Sequence, residues 1–154
     1  SLVDAFKEYQ FVIAGAPSQD KAFYKKIIRN KNVTLVENKT YDLLNASHAA
    51  LVTSGTATLE TALFKVPQVV CYKGNAISYF IAKKIITLQF ISLVNLIMNK
   101  EVVTELIQND FNKKSLSNSL RKILDESHRK ELFLTYSELD KKLGGKGASK
   151  KVAT

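Results

Sequence analysis

An α/β fold, with a parallel sheet covered by helices on both faces, is what this sequence predicts. Three observations carry it. Apolar runs of four to six residues recur along the chain, with helical patterns standing between them. The runs are rich in β-branched residues and hydrophobic on both faces, as strands buried on both sides are. The chain of 154 residues is long enough for one domain with a real core, and its 45% hydrophobic and 24% charged fractions are those of a soluble globular chain.

Taken in order, Leu2, Val3, Phe6 and Tyr9 fall at helical spacing, so the chain opens on a helix. FVIAG (11–15) is a short strand ended by glycine. Residues 16–30 read as a helix behind Pro17 and Ser18, with Phe23, Ile27 and Ile28 facing inward. VTLVE (33–37) is a second strand and KTYDLLNAS (39–47) a short helix. AALVT (49–53) is a third strand. TATLETALFK (56–65) is a helix whose core stripe is Leu59, Ala62, Leu63 and, just beyond it, Val66. PQVVCY (67–72) is a fourth strand, AISYFIAKKII (76–86) a helix and FISLVN (90–95) a fifth strand. After Asn95 the pattern turns helical, in EVVTELIQ (101–108), KKSLSNSLRKILDES (113–127) and HRKELFLTYSELDKKL (128–143). A doubly wound domain usually starts with a strand, whereas this chain enters on a helix. The expectation is that sequence is missing upstream.

Composition narrows the function classes. The 23 basic and 14 acidic residues give +9, which favours anionic partners. Much of the excess lies in KKLGGKGASKKVAT, where Gly144, Gly145 and Gly147 predict a flexible basic tail over 144–154. No aromatic RNA-binding motif or zinc finger is present, so nucleic acid is not an expected partner. Cys71 is the lone cysteine and forms no internal disulfide, which fits a reduced, cytoplasmic setting. His48 and His128 are isolated, with no metal-ligand spacing, so neither a metal nor another cofactor is expected. No apolar run reaches the roughly 18 residues of a spanning helix, and Ser1 to Asp4 lack a signal-peptide pattern.

Ligands of a parallel α/β sheet bind at the carboxyl ends of the strands. The junctions after Gly15, Val36, Thr53, Tyr72 and Val94 therefore share one rim. Ser54-Gly55-Thr56 falls there, where the third strand meets its helix. Backbone N–H groups and the positive end of the helix dipole suit a phosphate. Gly55 permits close backbone approach, and the two hydroxyls add donors. An ordinary helix cap explains Ser54 or Thr56 equally well, but not Glu60. A capping box needs Ser or Thr three positions before the acid, and that position is Ala57. Glu60 lies one turn after Thr56 on the same flank, where a carboxylate accepts two hydrogen bonds from a vicinal diol such as ribose. On the residues alone, ligand binding and plain capping both stay open.

Residues 50–85, ALVTSGTATLETALFKVPQVVCYKGNAISYFIAKKI, followed by FISLVNLIMNKEVVTELIQ (90–108), resemble the C-terminal half of the lipid-A-disaccharide synthases. The similarity runs from about Phe11 to Leu143. Ser-Gly-x-x-x-x-Glu alone is shared with other UDP-sugar enzymes. The resemblance implies a Rossmann-like C-terminal lobe of a two-lobed GT-B glycosyltransferase over 1–143, with extra C-terminal helices. By resemblance this lobe binds the UDP-sugar donor. Ser54, Gly55 and Thr56 would hold the diphosphate and Glu60 the ribose hydroxyls. Lys73 stands where the family usually has Arg, keeping the charge but losing bidentate geometry. Asn95, at the end of its strand, would line the donor site, and Glu101 and Glu105 match acids of the following motif. The backbone at Val36-Glu37-Asn38 lies where related folds grip uracil. Val94 and Thr104 stand in place of prolines, and Asn99-Lys100 in place of a Gly-Arg pair.

The family's Gly-Ser-Arg phosphate loop and its amino-terminal lobe, which carries the candidate general base, do not occur in this chain. No catalytic residue is therefore expected here, and residues 1–154 alone should be inactive. The resemblance implies that the whole enzyme transfers 2,3-diacylglucosamine from UDP to 2,3-diacylglucosamine 1-phosphate. It forms the lipid A disaccharide by inverting displacement without an obligatory metal. It implies a cytoplasmic enzyme, peripheral on the inner face of the bacterial inner membrane. Tyr79 and Phe80 beside Lys83 and Lys84 would meet an anionic bilayer surface, although packing of Phe80, Ile81 and Ile85 on the sheet explains the apolar residues more simply. Two other readings are a UDP-GlcNAc 2-epimerase-like enzyme, which should lack the 92–108 motif, and a non-catalytic nucleotide or RNA-binding module, which rests on charge alone.

Overall fold

β-branched runs between turn residues settle as strands at four of the five expected places. The computed structural model describes residues 2–53, 55–73 and 89–144. It has β1 at Phe11–Gly15, β2 at Val33–Glu37, β3 at Ala50–Thr53 and β4 at Gln68–Tyr72. Between and before them lie α1 (Leu2–Ala5), α2 (Lys21–Ile27), α3 (Thr40–Ala46) and α4 (Thr56–Leu63). The chain is α/β, with parallel sheets flanked by helices in a Rossmann-like arrangement. It divides into two compact units, Ser1–Ser47 and His48–Thr154.

In the first unit β1 and β2 pair in parallel, from Phe11 opposite Val33 to Gly15 opposite Glu37. The strand ends close tightly: a Cβ on Gly15 would stand 3.3 Å from Glu37 Cγ. α2 is capped by Asp20, whose carboxylate accepts the Phe23 N–H at 2.8 Å, and not by the Pro17-Ser18 pair. Its inner side is correspondingly different from the expected one. Tyr24 reaches the end of β1, where its hydroxyl oxygen accepts the Ala16 N–H at 2.7 Å. Phe23 and Ile27, expected to face inward, are 43% and 59% exposed.

The second unit is a parallel three-stranded sheet in the order β3-β4-β5. Its last strand corrects the sequence reading. β5 is Thr104–Ile107, inside the stretch expected to be helical, and the expected strand at 90–95 instead leads into helix α5, Leu93–Met98. Ser92 caps α5 by accepting the Asn95 N–H at 3.3 Å, and Asn99 ends it in the left-handed region at φ 53°. Val102, Val103, Leu106 and Ile107 suit a helix or a doubly buried strand. Pairing with β4, from Val69 opposite Thr104 to Tyr72 opposite Ile107, decides for the strand.

α6 (Lys113–Leu124) and α7 (Glu126–Lys142) complete the unit close to their expected bounds. α6 packs on β4 and β5, while α4, α5 and α7 pack on one another. Ala62, Val69, Val70, Val94, Tyr136 and Leu139 are fully buried, and each such aliphatic side chain larger than Ala contributes about 1.5–3 kcal/mol. The expected stripe of α4 is only partly right, since Leu63 is 41% exposed and Thr58 and Thr61 are buried instead. Their hydroxyls donate back to Gly55 O at 2.8 Å and Ala57 O at 2.7 Å, so each hides its polar atom without outside help. Arg129 ties α7 to the entry of β3 by donating to His48 O at 2.6 Å while lying over the Phe133 ring. Gln68 donates to Thr58 O at 2.8 Å, but among the described residues its Oε1 and the Tyr136 hydroxyl are buried with no partner within hydrogen-bond geometry. Burial pushes the Tyr136 phenol up to about 12.

Candidate functional site

The turn from β3 into α4 is shaped by one glycine. Gly55 has φ 140° and ψ −162°, a conformation that side chains resist, and a Cβ there would meet nothing within 4 Å. The backbone, not crowding, demands glycine. Gly55 is also the N-cap of α4, and it offers no side-chain hydrogen bond to the helix start. Thr56 is the first helical residue and not the cap, so plain capping does not account for it. Ser54 lies outside the described residues. Gly55, Thr56 and Ala57 are all exposed, and the first N–H groups of a helix carry its partial positive charge.

Glu60 lies one turn further along α4, four residues after Thr56, at a spacing that shares a flank. It is half-buried. Among the described residues its carboxylate makes no hydrogen bond or ion pair. Sheet register brings a cation to the same rim. Thr53 stands opposite Cys71, so Gly55 and Lys73 each follow two residues beyond a paired position on adjacent strands. Lys73 is exposed. A lysine at the adjacent strand end together with an exposed helix start favours an anion, and a carboxylate one turn away with no partner among the described residues favours hydroxyl donors. Cys71, at the same level, is no nucleophile at neutral pH, because burial pushes its thiol up to about 11.

The other expected donor-site residues behave differently. Asn95 is not at the end of a strand; it sits in the first turn of α5 and is fully buried. Its Nδ2 donates to Val103 O and to Glu105 Oε1, both at 2.8 Å. Its Oδ1 accepts from Val102 N at 2.8 Å and Val103 N at 2.9 Å. Glu105, on β5, also accepts from Ser92 N through Oε1 and from Ile91 N through Oε2, each at 2.9 Å. Glu101 is exposed in the turn between α5 and β5. Val36-Glu37-Asn38 closes β2 in the other unit, where Glu37 pairs with Lys21 at 2.9 Å and Asn38 takes φ 55°. Among the described residues no group of three or more His, Cys, Asp or Glu side chains assembles that could hold a metal. Tyr79, Phe80, Lys83, Lys84 and the tail from Gly145 lie outside the described residues.

The Asn95–Glu105 network was missed from sequence because residues 90–95 read as a strand. The signal was present as Ser92, placed three residues before Asn95 and directly before LVNLIM, which is a cap position.

Comparison with known proteins agrees with the resemblance. The family model described as lipid-A-disaccharide synthetase matches residues 1–153. The lipid-A-disaccharide synthase of Syntrophus aciditrophicus is 38% identical over 148 residues, covering 94% of this chain and 39% of that protein. That of Anaeromyxobacter dehalogenans is 34% identical over 153 residues, covering 97% and 40%. That of Myxococcus xanthus is 32% identical over 147 residues, covering 94% and 38%. The chain thus spans about two fifths of the length of these curated relatives.

Proposed function

The chain belongs to the lipid-A-disaccharide synthetase family, and from that premise we propose that it is the donor-binding lobe of a glycosyltransferase. The full-length protein transfers 2,3-diacylglucosamine from UDP to 2,3-diacylglucosamine 1-phosphate and forms the lipid A disaccharide. The match over residues 1–153 favours this over an epimerase-like enzyme or an RNA-binding module. The observation that carries the lobe's role is the pairing of a helix start at Gly55 with a Glu60 carboxylate one turn inside, neither of which has a side-chain partner among the described residues.

The diphosphate lies against the Gly55–Ala57 backbone with Ser54 and Thr56 supplying hydroxyl donors and Lys73 neutralising charge from the next strand end. Glu60 accepts both hydroxyls of the ribose. Anchoring the nucleotide holds the sugar's reacting carbon for the acceptor, which is a contribution of orientation. Residues 1–154 alone are inactive in transfer. No helix of the described residues is long and apolar enough to cross a membrane; the protein reaches its lipid substrates from the cytoplasmic membrane face.

The test is UDP titration by calorimetry on the full-length protein and its Glu60→Ala variant. Loss of hydrogen bonds to a charged acceptor weakens UDP by about 1.5–3 kcal/mol. Equal affinity in the two proteins contradicts the reading.

A further inference from the structure

We infer that Asn95 and Glu105 are positioning residues for the donor site. They clasp α5 to β5, and α5 in turn buttresses α4, which carries Gly55, Thr56 and Glu60. This rests on the donor-site reading of α4 above.

A primary amide has two donors and two acceptor positions. In Asn95 all four are taken inside the protein, by Val103 O, Glu105 Oε1, Val102 N and Val103 N. The side chain is fully buried and offers nothing to a ligand. Glu105 accepts three hydrogen bonds, from Ile91 N, Ser92 N and Asn95 Nδ2. An acceptor-only carboxylate is also the wrong partner for a diphosphate. Both residues are thus directed at protein groups.

What they hold follows from which groups they bind. The Glu105 carboxylate grips the two residues that lead into α5, while the Asn95 amide grips Val102 and Val103, which lead into β5. α5 has six residues, too few to keep its shape or place unaided. Charge-assisted bonds to its leading backbone, stronger than neutral ones, supply that placement. α5 packs directly on α4, and both pack on α7. Lys142 Nζ reaches Ile97 O at 3.3 Å and Lys65 Nζ reaches Ser137 Oγ at 3.4 Å, which tie α7 to α5 and to the residues just after α4. A displacement of α5 is therefore transmitted to the helix bearing Glu60. Misplacement by about 1 Å is enough to cost a site a large part of its function.

The test uses the full-length protein with Glu105→Gln, which removes the charge and puts an amide NH2 in place of one of the two oxygens, against the Ile91 N–H or the Ser92 N–H. Glu105→Asp is the milder second variant, keeping the charge while shortening the reach. Two readouts are compared in each variant: hydrogen exchange at the Ile91, Ser92, Val102 and Val103 amides, and the donor KM with kcat. The expected result is faster exchange at those amides together with a donor KM raised about tenfold for Gln and less for Asp. Faster exchange with unchanged KM and kcat overturns the inference, because the clasp is then scaffolding alone. A raised KM with unchanged exchange also overturns it, since Glu105 then touches the donor directly. Failure of the underlying donor-site reading is seen separately, as a Glu60→Ala variant with unaltered UDP affinity.

Discussion

Glu60 and Glu105 are two half-buried acids of the same α/β unit, and the fold treats them in opposite ways. Glu105 accepts three hydrogen bonds from protein groups, one of them from the Asn95 amide, whose other three hydrogen bonds go to Val102 and Val103. Glu60 has no partner among the described residues and stands one turn from an uncapped helix start. One region is closed, with each polar atom of Asn95 matched; the other is open, with donors and an acceptor waiting. A buried polar network without vacancies specifies structure. Polar groups held in place without partners are where a ligand gains most, because the protein does not have to give up its own bonds.

Removing the centre of the closed region should have the largest effect. Asn95→Leu leaves the Val102 and Val103 N–H groups, Val103 O and part of the Glu105 carboxylate without partners. We expect a stability loss of about 3–5 kcal/mol, read by urea unfolding of the full-length protein. A loss below about 1 kcal/mol would mean that the network does not hold α5 and β5 together. In the open region the order reverses. Glu60→Ala should leave the unfolding midpoint unchanged while weakening UDP by about 1.5–3 kcal/mol. Gly55→Ala falls between the two. The added methyl has open space, so its cost of about 1–2 kcal/mol is backbone strain at φ 140°, and UDP affinity should fall with it.

The smallest effect should come from Tyr136→Phe. The buried phenol has no partner within hydrogen-bond geometry among the described residues, so at pH 7 the change should stay within about 0.5 kcal/mol. At high pH the variants should separate. The Tyr136 pKa is raised from 10 to about 12, so the folded state holds that proton longer than the unfolded chain. Its stabilising contribution is present below pH 10 and is lost as pH rises through 12. Unfolding measured across that window should show the Phe variant losing less stability than wild type.

The first four strands were legible because β-branched runs are bounded by Gly15, Asn38, Ser54-Gly55 and the Pro67 turn, which leave little freedom of register. The failure at 90–108 has a definite cause. Apolar pairs four residues apart satisfy a helix and a doubly buried strand alike, and only the β4 ladder distinguishes them. Phe23, Ile27 and Leu63 mislead in the same manner, since residue type suggested burial where the observed helix faces place Tyr24 and Thr58 inward. At the site, the glycine turn and the isolated acid could be read from spacing. The clasp could not, because Asn95 and Glu105 meet only after α5 and β5 have formed.

The donor site stands or falls on whether the start of α4 receives the nucleotide. Amide NMR of the full-length protein, labelled selectively at threonine and alanine and titrated with UDP, reads this without mutation. Saturable shifts at the Thr56 and Ala57 amides, with little change at Val102 and Val103, are the predicted result. UDP saturation that leaves the Thr56 and Ala57 amides unmoved would contradict it.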